Sequence, residues 1–149
     1  MSEFELTTTT AQPAVAIRER VKVNEIPQAM GRMFGEVCKA VGEANLAGPP
    51  FAYYYSWSDQ EVDMACGFPV AGTFKPSGNV KAFTLPAVKA VVAMHVGPYD
   101  KLMDTYTKMQ QWMGEKKLAP ADYMWEFYLN SPEEVPPEKL MSKLIWPVK

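Results

Sequence analysis

The chain has little with which to build a metal centre or a disulfide framework: its 149 residues carry two cysteines, Cys38 and Cys66, and one histidine, His95. Two thiols are too few for a disulfide scaffold, and with one histidine they fall short of the four ligands of a structural zinc site. Both are expected as buried thiols in a reducing compartment, and no metal or cofactor is expected. Basic residues form no block and the net charge is −2 with a pI near 5.5, so nothing favours direct nucleic-acid binding. No window approaches the roughly 18 consecutive apolar residues of a membrane span. The first ten residues hold two acids and four threonines, not the basic and apolar stretches of a secretory signal, which makes the cytoplasm the expected location. Glycine-rich phosphate loops, nucleophile elbows and paired metal ligands are missing too.

Large polarizable side chains are plentiful: 7 Tyr, 7 Phe, 4 Trp and 10 Met, enough for an aromatic-walled cavity as well as a core. Their placement follows an internal repeat. Pro13-Ala14-Val15 recurs as Pro86-Ala87-Val88, an offset of 73. Each triplet opens a β-branched run, residues 15–23 and 88–96, that reads as a strand. Helical periodicity follows both, with Ile26, Met30, Met33, Val37 and Val41 in one segment and Tyr99, Leu102, Met103, Tyr106, Met109 and Met113 in the other. Most of these methionines are expected in the core. Pro27 and Pro98 suit helix starts, and Gly48-Pro49-Pro50 and Pro120 suit helix stops. Two aromatic strands come next, residues 51–55 and 124–128. Gly67-Phe68-Pro69-Val70 and Ile145-Trp146-Pro147-Val148 then close the two halves.

The expected fold class is α+β: two βαββ modules, about 12–73 and 80–149, joined by a linker at 74–79, with residues 80–85 a candidate extra edge strand. Two such modules are expected to pair edge to edge into one largely antiparallel sheet with two long helices on one face and a central cleft.

Glu126 is out of place in its strand, between Trp125 and Phe127. A carboxylate is a poor strand residue and costly to bury ionised. By alternation it shares a face with Tyr128. At offset 73 its counterpart is Tyr53, and that of Tyr128 is Tyr55. A pseudo-two-fold arrangement would set these four around the cleft, a cage suited to an organic cation. An apolar surround should also raise the pKa of Glu126. Tyr99 and Tyr106, two turns apart on one helix face, are candidate wall residues. So are Phe68 and Trp146, which are equivalent in the repeat, while Trp57 is a candidate for the rim. His95 is more readily explained as bonding to backbone than as an acid–base catalyst.

These residues resemble the GyrI-like small-molecule-binding domain, also seen as the effector-binding domain of AraC- and MerR-type multidrug regulators. The resemblance covers nearly the whole chain and rests on the Pro-Ala-Val strand openings, His95-Val96-Gly97-Pro98-Tyr99, Trp125-Glu126-Phe127-Tyr128-Leu129, and Pro132-Glu133-Glu134. It implies two βαββ modules around a cleft, with the glutamate matching Glu126 reaching into it beside aromatic residues. It also implies binding of hydrophobic, planar or cationic compounds, here by a stand-alone ligand-binding or drug-sequestering protein. Two alternatives come with it. One is a cofactor-independent hydrolase that opens strained cyclopropane rings in DNA-alkylating natural products, with Glu126 and Tyr55 as the catalytic candidates. The other is an interaction module with a protein partner such as DNA gyrase. Because the βαββ pattern begins by about residue 13, no helix-turn-helix domain is expected, which sets this sequence apart from the regulators.

Overall fold

The computed structural model describes residues 4–42, 45–71, 78–130 and 134–149. Its strands are β1 (Phe4–Thr8), β2 (Gln12–Lys22), β3 (Phe51–Trp57), β4 (Glu61–Pro69), β5 (Lys81–Leu85), β6 (Lys89–Val96), β7 (Met124–Tyr128) and β8 (Met141–Pro147). The helices are α1 (Ile26–Val41) and α2 (Leu102–Glu115), each entered through a 3-10 turn, Val23–Glu25 and Tyr99–Lys101. The α+β class is as expected. Most of the sequence motif at 132–134 and of the linker at 74–79 lies outside the described residues.

The chain forms two compact units, Thr10–Ala87 and a second made of Val88–Lys149 together with Met1–Thr9. In the first unit β2 is flanked by β4 and β5, and β3 pairs with β4; every pair is antiparallel. In the second, β6 is flanked by β8 and β1, and β7 pairs with β8, again antiparallel throughout. Each unit thus takes an edge strand from the other half of the chain. Ala16 of β2 pairs with Lys81 of β5, and Val92 of β6 pairs with Glu5 of β1. The threonine-rich start forms a strand because its alternating residues suit a half-exposed edge.

Each helix covers one face of its own unit's strands. Ala29, Met33, Val37 and Val41 form the buried stripe of α1, and Met109 and Met113 that of α2. Met103, expected on the buried stripe, is 72% exposed, because α2 turns the face carrying Met109 and Met113 inward and Met103 lies off it. Under α1 lie Val15, Ile17, Met64 and Cys66, all buried; Phe68, half-buried, meets Phe34 of the helix edge-on at 5.8 Å.

Strand register corrects the repeat. Ala47 N donates to Pro69 O as Ala121 N does to Pro147 O, which equates the two prolines at an offset of 78. Ala14 pairs with Pro69 and Ala90 with Pro147, so β2 and β6 correspond at 76. Ala52 pairs with Cys66 and Glu126 with Leu144, so the counterpart of Glu126 is Ala52 and not Tyr53. Likewise Tyr54 pairs with Met64 and Tyr128 with Ser142, so Tyr128 corresponds to Tyr54 and not Tyr55. Shifting a strand by one residue reverses the face of every side chain, which is why an offset read from sequence triplets misassigns the partners.

The glycines give opposite expectations. A Cβ on Gly67 would lie 1.8 Å from the Val15 carbonyl oxygen, so Gly67→Ala should destabilise the fold by about 3 kcal/mol or more. Gly31, on the exposed side of α1, has open space around it, and Gly31→Ala should stabilise by about 0.5–1 kcal/mol. Urea unfolding of the two variants checks both signs.

Candidate functional site

Glu126 is 3% exposed and sits in the middle of β7. A solvent-facing carboxylate is therefore excluded. Its side chain points under α2, where the Tyr106 hydroxyl donates to Oε2. From its own strand, two residues on, the Tyr128 hydroxyl donates to Oε1 at 2.5 Å. Both carboxylate oxygens thus accept from phenols, one delivered by the helix and one by the strand.

Aromatic edges enclose this pair of bonds. Tyr99 packs edge-on against Tyr128 at 5.7 Å, and Trp146 of β8 packs edge-on against Tyr106 at 5.8 Å. Trp146 is itself fixed by its indole N–H, which donates to the Ala121 carbonyl at 2.9 Å. Five residues proposed from sequence, Glu126, Tyr128, Tyr99, Tyr106 and Trp146, therefore come together within the second unit.

Burial pushes the Glu126 carboxyl above the ordinary carboxylate range; the bonds from Tyr106 and Tyr128 and the nearby His95 pull the other way without cancelling it. Burial and the charge of Glu126 push the Tyr99 phenol up. The ion pairs among the described residues are Arg18–Asp63, Arg20–Glu61, Arg32–Glu19, Arg32–Glu36 and Lys149–Asp122, and none involves Glu126. Among the described residues the carboxyl is thus held by neutral donors.

Two polar residues escaped the sequence reading as parts of this neighbourhood. Ser142 pairs across the sheet with both His95 and Tyr128, and its buried hydroxyl has no hydrogen-bond partner among the described residues. Thr105, one residue before Tyr106, bonds to His95. A serine in a strand and a threonine in a helix carry no signal until the register places them. His95 does bond to backbone, at the Pro98 carbonyl, 3.1 Å from Nε2.

The remaining candidates lie in the first unit. Tyr53, Tyr55 and Phe83 contact one another edge-on, with Tyr53–Tyr55 at 4.8 Å and Tyr53–Phe83 at 5.1 Å. They occupy the face away from α1: Tyr53 is level with Ala65 and Arg18, whereas the neighbouring Glu19 turns to Arg32 of the helix. The Tyr55 ring lies under the Arg18 guanidinium, 3.7 Å from its centroid, and Asp63 holds that guanidinium with two bonds. Burial is the largest influence on the Tyr55 phenol and raises it, Arg18 opposes and Asp63 adds to the rise. Trp57, at the strand end, is exposed.

Among the described residues no three His, Cys, Asp or Glu side chains cluster so as to hold a metal ion, and no helix is long and apolar enough to cross a membrane. The family model of the GyrI-like small molecule binding domain matches residues 2–149. The chain belongs to this family. As a GyrI-like domain it is a small-molecule-binding protein. Solved structures share the fold. The EcmrR C-terminal domain is 22% identical with a TM-score of 0.81, over 98% of this chain and 96% of that one. EcmrR in its DNA complex is 21% identical with a TM-score of 0.82, and there the GyrI-like chain, 98% of it aligned, spans only 57% of the longer protein. SAV2435, solved bound to tetraphenylphosphonium, is 15% identical with a TM-score of 0.72, over 99% of this chain and 94% of that one. A hydrolase from Listeria innocua is 17% identical with a TM-score of 0.67, over 99% and 92%. No protein of curated function matches the sequence.

Because the folded-state pKa of Glu126 is raised, the native protein binds its proton more tightly than the unfolded chain does. That contribution to stability is complete below the unfolded carboxyl value and is lost as pH rises through the folded one. Glu126→Gln should therefore be more stable than the parent at neutral pH, by about 1–3 kcal/mol, the usual scale for relieving an incompletely compensated buried polar group. The difference should vanish near pH 4, and denaturant unfolding across the pH range measures it.

Proposed function

We propose that this GyrI-like domain captures a hydrophobic organic cation, with Glu126 as the charged anchor and Tyr99, Tyr106, Tyr128 and Trp146 as the aromatic surround. The observation that carries this reading is the buried carboxyl of Glu126, bonded by two phenols and ion-paired to no described lysine or arginine. A delocalised cation suits such a group. It costs less to strip of water than an ammonium, and ring faces add about 0.5–2 kcal/mol per desolvated contact. Supporting it, SAV2435 has the same fold and was solved with a lipophilic phosphonium bound.

A second reading, a cofactor-independent hydrolase, rests on the buried Glu126 carboxyl, bonded by two phenols and with its pKa raised by burial. A carboxyl that holds its proton more tightly than usual can donate it to a leaving or carbonyl oxygen, while a neighbouring phenol orients the developing charge. In that reading the phenol is Tyr106 or Tyr128, both of which touch Glu126, and not Tyr55, whose ring is covered by Arg18. Incubation with a cyclopropane-bearing DNA alkylator, followed by mass spectrometry for a hydrated product, decides it.

For the leading reading, tetraphenylphosphonium should bind the parent, and Glu126→Gln should weaken it at least about tenfold, equivalent to 1.4 kcal/mol. A neutral tetraaryl compound of the same shape should change less than twofold. Titration calorimetry or fluorescence quenching gives both constants, and equal losses for the cation and the neutral compound would remove the charge role of Glu126.

A further inference from the structure

His95 is the chain's only histidine and is buried at the end of β6. Both its ring nitrogens are occupied, Nδ1 by Thr105 Oγ1 at 2.6 Å and Nε2 by the Pro98 carbonyl at 3.1 Å. A carbonyl only accepts, so Nε2 carries the proton, and in the neutral ring Nδ1 accepts from the Thr105 hydroxyl. The two residues so held share one property: Pro98 immediately precedes Tyr99, and Thr105 immediately precedes Tyr106. These are the tyrosines that reach the Glu126 site from outside its strand.

We propose that His95 is a positioning residue for the ligand site, its imidazole fixing the first turn of α2 and the segment before it so that Tyr99 and Tyr106 are set against Tyr128 and Glu126. The inference rests on the site assignment made above. The local backbone is built for the contact. Gly97 has a φ of +135°, which lets the chain turn back at the end of β6 so that the Pro98 carbonyl returns over the imidazole. A Cβ at Gly97 would meet only His95 Nε2 at 3.9 Å, an ordinary contact, so the backbone conformation and not space requires glycine. Gly97 N donates to the Leu140 carbonyl at 2.8 Å and anchors the turn to the segment before β8. The helix has no side-chain N-cap, and the imidazole–Thr105 bond ties its first turn to β6 instead. Phenols aimed at a carboxylate need such support, because displacements of about 0.5 Å already degrade a binding geometry.

The test separates positioning from mere core filling. Thr105→Val keeps the volume and removes only the hydroxyl. In ligand-free protein, proton NMR should show the Tyr106 hydroxyl as a downfield signal, assigned by its loss in Tyr106→Phe. Thr105→Val should shift or broaden that signal while Tm stays within a few degrees. Tetraphenylphosphonium affinity should fall about three- to tenfold in Thr105→Val, and this loss should disappear in the Tyr106→Phe background. His95→Asn, whose amide reaches Thr105 but not Pro98, should retain the Tyr106 signal and serves if the valine variant folds poorly. An unchanged Tyr106 signal in Thr105→Val, or a loss of affinity that simply adds to that of Tyr106→Phe, overturns the proposal. If the parent does not bind the phosphonium, the ligand reading fails while the NMR comparison still decides the positioning role.

Discussion

Burying one carboxyl beneath a helix constrains everything around it. Glu126 cannot sit there ionised and alone, so two phenols have to be delivered to it, and they come from different elements. Tyr128 arrives at no cost in topology, being two residues along the same strand. Tyr106 arrives only if α2 lies over β7 at the correct rotation, which the buried Met109 and Met113 provide from further along the helix. The tyrosines in turn need Tyr99, Trp146 and Ala121 to hold their rings and supports in place. The aromatic wealth of the composition is thus partly the scaffold of one acid.

The two halves show what this specialisation changed. By strand register, Glu126, Tyr128, Ser142 and Trp146 correspond to Ala52, Tyr54, Met64 and Phe68. In the first half Ala52 and Met64, both fully buried, stand where Glu126 and Ser142 do, Phe68 packs on Phe34, and Tyr54 keeps a phenol at the position of Tyr128. Among the described residues, the duplicated architecture thus carries the buried carboxyl in one copy and an alanine at the same position of the other.

Much of this was legible in residue order. Periodicity located both helices, and the aromatic runs located β3 and β7. Glu126 stood out because a carboxylate between tryptophan and phenylalanine defies strand preference. What failed had one cause: register. The closing strands correspond as read, Phe68 to Trp146, but triplets such as Pro-Ala-Val matched at 73 do not: hydrogen bonding equates β2 with β6 at 76 and β3 with β7 at 74, and an odd error exchanges the faces. That error made Tyr53 and Tyr55 the repeat counterparts of Glu126 and Tyr128, whereas Tyr106 and Tyr99, placed by helical spacing alone, meet Glu126 and Tyr128. The backbone bond of His95 was expected, but its pairing with Thr105 was out of reach for another reason. That pairing is a bond between a strand end and a helix start, which no one-dimensional pattern contains.

The exchange of edge strands has a consequence for how the protein is made. Phe4 pairs with Ala93, so β1 has no partner until nearly ninety residues more have followed it from the ribosome. At the usual 5–20 residues per second that interval is on the order of 10 s. During it a strand that will end as a sheet edge stays single, and the earlier half meanwhile lacks its own edge strand, β5, until residue 85 is made. Neither unit is complete when half the chain exists. Translation speed and the polar threonines of the opening segment therefore bear on the yield of folded protein, because they govern what the waiting strand pairs with.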